Sequence, residues 1–382
     1  MLDDVVLGKT QGDVVVSIPE ASPLNSRSDS VKAVLPQASL VKMPFASQLT
    51  PAAVNDTIVQ GHFTYTVLSV DAAKKTGTVS IKGTAPYSSA DGLTIPRTIT
   101  HSSAGETYMY MVTEVAESAF QDYGGLTGPL TLPDSLVKIG RRAFIECYGL
   151  NGALVIPDSV TAIGAAAFAG CRRFTGHLNI SGSITRIEDA AFNALAVTTV
   201  SIPATVTFVS GSSFYCCPQV KSYNVAADNQ DYCSVDGIIY NKQMTQLVRY
   251  PSAKTGSYSI PSTVNFIDHE ALTDSLLTSI EIPSSVSVRG AYTFANSFSL
   301  QSVVLGAGVS AVSIGTFGWC RSLTSITAYG NVSEISRHAD TFALVNKANT
   351  TIYLPTGIVG GRTQAARQET WRAEGFTLFA DA

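Results

Sequence analysis

The stretch "LTLPDSLVKIGRRAFIEC" at residues 130–147 is followed 24 residues later by "LVIPDSVTAIGAAAFAGC" at residues 154–171. Both stretches contain an apolar pair before a proline, then an Ile-Gly pair, then an Ala-Phe pair that precedes a cysteine. A pattern that recurs at a fixed spacing is typical of proteins in which each copy forms one supersecondary unit of a stack. The fold therefore depends on how far this pattern extends along the chain.

The pattern extends over most of the chain in two runs. Within each run the proline position recurs every 22 to 24 residues, and a phenylalanine follows it by 11 residues in most copies. The proline position is occupied by Pro133, Pro157, Ser181, Pro203, Pro261, Pro283, Gly306 and Tyr329. With a longer first copy that begins at "LTIP" (93–96), the pattern indicates about ten turns.

Each copy contains a short strand whose apolar side chains need a neighbour to cover them. In "LTSIEIPSSV", Ile280 and Ile282 alternate with polar residues, so a strand there points both side chains to one face. Pro283 lacks a backbone donor and ends the strand. A single copy cannot bury so many apolar side chains, whereas stacked copies bury them against one another.

These copies resemble the BspA-type leucine-rich repeat, because the I-P, I-G and A-F-x-x-C elements recur together through residues 93–355. The resemblance implies a leucine-rich repeat solenoid, a right-handed β/α superhelix of short parallel strands joined by short helical turns. The family is common on bacterial surface proteins and in some mucosal parasites, so the resemblance also implies a protein that is secreted or held at the cell surface and attaches to host matrix proteins or to other cells.

The same resemblance divides the chain into a repeat array with a cap at each end. "FTYTVLSVDAAKKTGTVSIKG" (63–83) alternates on both sides of a polar turn and predicts a capping hairpin. "DNQDYCSVDGIIYNKQMTQLVRYP" (228–251) resembles a hairpin insertion, with Asp236 and Gly237 in its turn. The expected segments are 1–60 as an irregular segment or linker, 61–92 as the hairpin, 93–351 as repeats with the insertion at about 223–256, and 352–382 as a strand-helix cap.

Composition excludes several classes of protein. Charged residues make up 14% of the 382 residues, and the net charge of −4 comes without a basic cluster, so nucleic-acid binding is not expected. No apolar run approaches the ~18 residues of a membrane span. The first 20 residues are acidic and alternating rather than signal-like, which leaves open a cytosolic protein or a mature or truncated chain whose leader is not visible.

Residues of the kinds that carry chemistry have structural interpretations here. Four cysteines, Cys147, Cys171, Cys217 and Cys320, lie three residues after a repeat phenylalanine, which predicts buried reduced thiols rather than a disulfide framework. Asp268, His269 and Glu270 are adjacent and therefore point in different directions, which makes them poor joint metal ligands. The sequence predicts no catalytic residue, cofactor or metal site.

A candidate binding surface remains at the strand positions between the inward residues, on the side expected to be concave. These positions are Thr131, Val155, Asn179, Ser201, Ser259, Glu281, Val304 and Thr327. The column is small and nearly uncharged, and it lacks the Trp, Tyr and Arg anchors that are common in protein interfaces. A purely structural interpretation is that Thr and Ser suit exposed strands. Away from the column, aromatic contacts could come from Tyr108, Tyr110, Tyr215, Tyr292 and Trp319.

The leading hypothesis is a monomeric, non-catalytic binding or adhesion module whose partner is an extracellular or cell-surface protein, such as a matrix protein, or a glycan. Two structural alternatives are a spacer that presents another module and an intracellular scaffold. A polysaccharide-active enzyme is a more remote alternative, since a glycosidase needs two carboxylates roughly 5 to 10 Å apart and the column supplies only Glu281.

Overall fold

The computed structural model describes residues 52–84, 88–103, 105–286 and 290–382, so most of the linker predicted over 1–60 lies outside the described residues. The described repeats form a β-solenoid of about 12 turns, with a single helix near the C-terminus. This confirms the predicted leucine-rich repeat fold and adds about two turns to the ten counted from the sequence.

A small sheet precedes the repeats and joins them directly. The strands before the repeats are β1 (Thr57–Gln60), β2 (Phe63–Asp71), β3 (Thr76–Gly83), β4 (Leu93–Thr94), β5 (Thr98–Ser103) and β6 (Glu106–Val115), and all of them except β4 belong to this sheet. Strands β2 and β3 form an antiparallel hairpin with Tyr65 opposite Ile81, and β1 pairs antiparallel with β2. Strand β6 pairs parallel with β3 and antiparallel with β5, and its free edge accepts the first repeat.

The first run of repeats builds two parallel ladders. Its strands are β7 (Leu130–Thr131), β8 (Lys138–Ile139), β9 (Asn151–Gly152), β10 (Ala162–Ile163), β11 (Arg173–Asn179), β12 (Arg186–Ile187), β13 (Ala196–Ile202), β14 (Phe208–Val209) and β15 (Ser222–Val225). The ladder before the proline position runs β9-β11-β13-β15. The ladder at the Ile-Gly position begins β6-β8-β10, so the N-terminal sheet continues into the repeats without an exposed edge at that point.

The Ala-Phe segments form the third side of each turn as stacked corners. The amide of Phe144 donates to the carbonyl of Ala167 in the next corner at 2.8 Å. The residues two before and two after the phenylalanine are left-handed in most corners, as in Arg142 (φ 54°) and Glu146 (φ 62°). The corners are therefore hydrogen-bonded turns, and the helical turns that the resemblance implied are replaced by pairs of left-handed residues.

The repeat phenylalanines stack face to face through the middle of the core. The rings of Phe144 and Phe168 have centroids 5.2 Å apart and planes 8° apart. The stack runs from Phe120 to Phe214 in the first run and from Phe294 to Phe342 in the second. Since stacked aromatic pairs add to the stabilisation from burial, this column explains why the phenylalanine recurs.

The insertion between the runs has three strands instead of two. The segment contains β16 (Tyr232–Val235), β17 (Ile238–Asn241) and β18 (Gln246–Arg249), followed by β19 (Gly256–Ser259) and β20 (Phe266–Ile267). Asp236 and Gly237, both with positive φ, make the predicted turn between β16 and β17, and a second turn leads into β18. Because β18 pairs parallel with β20, the insertion supplies a strand to the second ladder.

The second run continues the strand ladder to the C-terminal cap. Its elements are β21 (Leu277–Ile282), β22 (Ser302–Leu305), β23 (Ala311–Val312), β24 (Ser325–Ala328), β25 (Glu334–Ile335), β26 (Thr351–Leu354), β27 (Ile358–Val359), β28 (Arg362–Thr363), α1 (Gln364–Arg372) and β29 (Leu378–Asp381). The ladder order is β19-β21-β22-β24-β26-β29. Trp371 of α1 is buried against Phe342 and Phe376, so the helix covers the end of the aromatic stack.

Candidate functional site

The strand ladder places the predicted column residues side by side in its first part. Asn179 pairs with Ser201, and Ser201 pairs with Asn224 of β15. Side chains at paired positions of neighbouring parallel strands lie on one face about one strand spacing apart. Asn224 is not among the predicted residues, because its strand precedes the insertion and lacks the repeat proline.

The second part of the column is longer and unbroken. Ser259, Glu281, Val304 and Thr327 pair in succession, and Tyr353 of β26 pairs with Thr327. We call this outward surface of β19, β21, β22, β24 and β26 the strand face. Tyr353 lies in the segment predicted as the C-terminal cap, and its pairing with Thr327 gives the column an aromatic residue that the sequence prediction did not include.

The remaining predicted residues do not join this column. Thr131 pairs with Thr94 in the two-stranded sheet of β4 and β7. Val155 lies outside the strands and is 65% exposed. The structure therefore brings together six of the eight predicted residues, in two groups separated by the insertion.

The strand face carries two adjacent shallow depressions. The larger, about 640 Å³, is lined by Glu281, Val304, Tyr329 and the turn around Ser284. The smaller, about 440 Å³, is lined by the serines of β19, β21 and β22, together with Glu281 and Val304. Glu281 accepts a hydrogen bond from the Ser259 hydroxyl at 3.3 Å. The surface thus offers many hydroxyl groups, one carboxylate and a tyrosine at its edge.

A third depression lies on the corner side and is lined by three of the aromatic residues noted in the sequence. Tyr215, Tyr292 and Trp319 line a cavity of about 360 Å³, the corner pocket, whose other lining residues are Glu270, Ala295, Asn296 and Asp340. Tyr108 and Tyr110, by contrast, are buried in the N-terminal sheet. The sequence alone could not associate Tyr215 with Tyr292, because the insertion lies between them.

Hydrogen bonds fix the walls of the corner pocket. The Tyr292 hydroxyl donates to Asp340 Oδ2 at 3.1 Å, and the Asn296 amide donates to the Tyr215 hydroxyl at 3.2 Å. Burial raises the pKa of Glu270, with a smaller opposing effect of the Arg249 guanidinium. The pocket is therefore an aromatic cleft with two carboxylates in its wall.

A neighbouring pocket of about 410 Å³ contains Asp189, Asp268 and Glu270 together with His269. Asp189 accepts from the Ser210 hydroxyl at 2.5 Å, and Asp268 accepts from the Gln246 amide and the His269 backbone. Two of the three carboxylates are thus occupied in holding turns. Among the residues that the structure describes, no group of three or more His, Cys, Asp or Glu side chains is placed to hold a metal ion.

The cysteines are part of the scaffold. All six are free, and the four at the repeat position are buried. Each of those four thiols donates to the carbonyl of the phenylalanine one corner earlier, as in Cys171 to Phe144 O at 3.1 Å. Ser297, at the same position, donates to Leu272 O at 3.1 Å. Five corners thus use a small donor at this position, whereas Leu195 and Val345 occupy it in two others. Burial raises the pKa of Cys217 to about 12.

The ladders, corners and caps together define a leucine-rich repeat solenoid. The family model for the BspA type leucine rich repeat region matches residues 113–235 and 249–357 in six copies, which is more than half of the chain. The chain belongs to this family.

Solved structures support the same fold. A leucine rich cell surface protein from Faecalibacterium prausnitzii A2-165 is 25% identical with a TM-score of 0.53, over 78% of this chain and 89% of that one. The pneumococcal vaccine antigen PcpA is 20% identical with a TM-score of 0.56, over 86% of this chain and 99% of that one. No curated protein gives a significant sequence match. Within the described ranges no helix has the length and apolar character needed to span a membrane.

Proposed function

We propose that this chain is a non-catalytic binding module that acts outside the cell or at its surface and recognises an extracellular or cell-surface protein through the strand face. The observation that carries the proposal is the unbroken register of outward residues from Ser259 to Tyr353 across five parallel strands. Extended faces of this kind are the binding surfaces of solenoid proteins.

The chemistry of the strand face favours a protein surface over a charged polymer. Serine and threonine hydroxyls both donate and accept hydrogen bonds, and Tyr329 and Tyr353 supply aromatic area at one end. Glu281 is the only charged residue in the column from Ser259 to Tyr353. Because so few charges are present, affinity for the partner should depend only weakly on salt concentration.

The test is an array of extracellular matrix proteins, including fibronectin and fibrinogen, with a glycan array beside it. The purified chain is expected to bind one protein saturably as a monomer. Thr327→Lys and Glu281→Lys should each weaken that binding at least tenfold, because a long charged side chain then stands in the middle of the face.

The matched control is Thr161→Lys, which introduces the same side chain at an exposed position directly before β10, away from the strand face. If Thr327→Lys and Thr161→Lys bind the partner equally well, the strand face is not the binding surface. Silence on both arrays with folded, monodisperse protein would favour the alternative of a spacer that presents another module. Signals on the glycan array alone would move the partner class to carbohydrate.

A further inference from the structure

The walls of the corner pocket place large side chains where the backbone favours glycine. Trp319 has φ 62° and Tyr292 has φ 56°, at the positions two after and two before the corner phenylalanine. Other corners have Gly170 and Gly315 at those two positions, in the same left-handed region. A positive φ recurs at these positions in most corners with residues as different as Arg142 and Glu146, so the backbone conformation by itself does not account for an aromatic ring at either place. Folding of the corner alone does not call for these two rings.

The next corner is shaped to accommodate the Tyr292 ring. A Cβ added at Gly315 would lie 2.2 Å from Tyr292 Cδ1, so only glycine leaves space for the ring against the backbone there. The hydroxyl of Tyr292 then reaches Asp340 on the following turn. Gly315, which has no side chain, therefore leaves the space that the Tyr292 ring occupies.

Charge in the pocket is negative. Glu270 and Asp340 line it, and none of the seven lining residues is a lysine or arginine. The Arg249 guanidinium lies near Glu270 but does not donate to the Glu270 carboxylate. It donates to the backbone carbonyls of Gly211, Phe214 and Glu270 and to the Thr273 hydroxyl. Asp189, Asp274 and His269 also face Glu270, and His338 Nδ1 lies 3.5 Å from Asp340 Oδ2.

We propose that the corner pocket binds a cationic side chain, lysine or arginine, presented by a partner protein. Faces of Trp and Tyr attract cations, and an ammonium or guanidinium group would also relieve the negative charge of the two carboxylates. A neutral sugar could stack on the same rings but would leave those charges uncompensated. This site is separate from the strand face and does not depend on the proposed function.

Tryptophan fluorescence gives a direct readout, because the chain has two tryptophans and Trp371 is only 1% exposed. The probes are the blocked peptides Ac-GGRGG-NH2 and Ac-GGKGG-NH2, with citrulline and norleucine versions as uncharged matches. We expect the charged peptides to change Trp319 emission saturably, with a Kd on the order of 1 mM for one isolated side chain. The citrulline and norleucine peptides should bind at least tenfold more weakly.

Variants separate the proposal from a nonspecific effect. Glu270→Gln should lower affinity several-fold and reduce the loss of binding that we expect for the wild type when the pH falls through the raised pKa of Glu270, while Asp340 keeps a smaller loss at lower pH. Trp319→Gly relieves the left-handed backbone and should keep the fold while lowering affinity about tenfold, measured by calorimetry. Phe298→Ala, at another exposed aromatic beside Arg321, is the matched control and should bind normally.

Three results would overturn the proposal: equal responses to the arginine and citrulline peptides, a response only to N-acetylglucosamine or galactose, or no response to either cation at 20 times the expected Kd. Thr327→Lys should leave the peptide response unchanged. A failure of the strand face and a failure of the corner pocket therefore produce different results.

Discussion

Replacement of Arg249 by methionine should separate the two runs of repeats into independently unfolding parts. Arg249 is fully buried, and its guanidinium donates to Gly211 O at 3.4 Å and Phe214 O at 2.9 Å in the last corner before the insertion. It also donates to Glu270 O at 2.5 Å and to the Thr273 hydroxyl at 3.1 Å in the first corner after it. One side chain thus fastens the two runs together where the aromatic stack is interrupted.

The size of the effect follows from the acceptors left behind. Methionine fills much of the volume but donates nothing, and each buried carbonyl without a donor costs about 1–3 kcal/mol. The carbonyls of Gly211 and Phe214 lose this donor, whereas the Glu270 carbonyl keeps its hydrogen bonds from the Thr273 amide and hydroxyl. Removal of a buried charge also returns part of its desolvation cost. We expect a net loss of about 3 kcal/mol in the coupling between the runs. Arg249→Lys keeps the charge without the planar fork and should lose less.

Two probes report on different parts of the chain during urea unfolding. Both tryptophans, Trp319 and Trp371, lie in the second run or its cap, whereas far-UV circular dichroism reports on both runs. The stability of a solenoid is a sum of repeat and interface terms, so a weakened interface divides one transition into two. The wild type should give coincident fluorescence and dichroism curves, and Arg249→Met should give curves with different midpoints.

Arg337→Met is the matched control, since it makes the same substitution at an exposed position and should change stability by less than about 0.5 kcal/mol. Coincident curves for Arg249→Met, or a loss of less than about 1 kcal/mol, would refute the view that this arginine couples the runs.

Three further predictions concern the scaffold. Phe168→Leu should cost about 1 kcal/mol and Phe168→Ala about 3–5 kcal/mol in urea unfolding, because Leu272 already occupies the equivalent slot; similar costs for both would contradict a stacked core. Native alkylation followed by mass spectrometry should label Cys233 before the four buried repeat thiols, and early labelling of those four would contradict their burial. Burial raises the pKa of Glu270 and Asp274, so these carboxyl groups bind protons more tightly in the folded state than in the unfolded state. The free energy of unfolding should therefore rise as the pH falls through their raised pKa values towards about 4. A free energy of unfolding that does not change over this pH range would contradict the prediction.

The strand ladder could be predicted because the sequence shows both the repeat length and the alternation of side chains within each strand. A spacing of 22 to 24 residues gives the turn, and alternation within the strand decides which side chains point outward. These two rules place Ser259, Glu281, Val304 and Thr327 at paired positions, as the structure shows. Tyr353 follows from the same rules once the strand after the last full repeat is counted as part of the ladder.

The corner pocket could not be predicted in the same way, because it depends on which turns become neighbours across an insertion. Tyr215 and Asn296 are 81 residues apart in sequence and yet share a hydrogen bond. One feature of the sequence does point to the pocket. Tyr292, Asn296 and Trp319 each lie two residues from a corner phenylalanine, at positions where φ is positive. Because these positions recur in every corner, the large side chains of Tyr292 and Trp319 in neighbouring corners predict an aromatic surface on that side of the solenoid.

The interruption of the repeat creates local chemistry that the regular repeats do not have. At Gly211 an added Cβ would lie 2.3 Å from the carbonyl oxygen of His269, so the corners on either side of the insertion are in direct contact. Asp274 Oδ2 accepts from the Cys216 amide across the same boundary at 3.1 Å. Leu272, smaller than the usual phenylalanine, lies in the first corner after this boundary.

Stacking identical turns favours identical side chains at each position, because each turn must fit the one before it. Buried carboxylates and a buried arginine are costly in such a column, and here Arg249, Glu270 and Asp274 lie next to the break in the repeat. Glu270 lines both the corner pocket and its neighbour, and it lies in the first corner after the insertion. In this solenoid the regular turns supply stability and an extended face. The corner next to the insertion supplies Glu270, a carboxylate that can bind the lysine or arginine side chain proposed for the corner pocket.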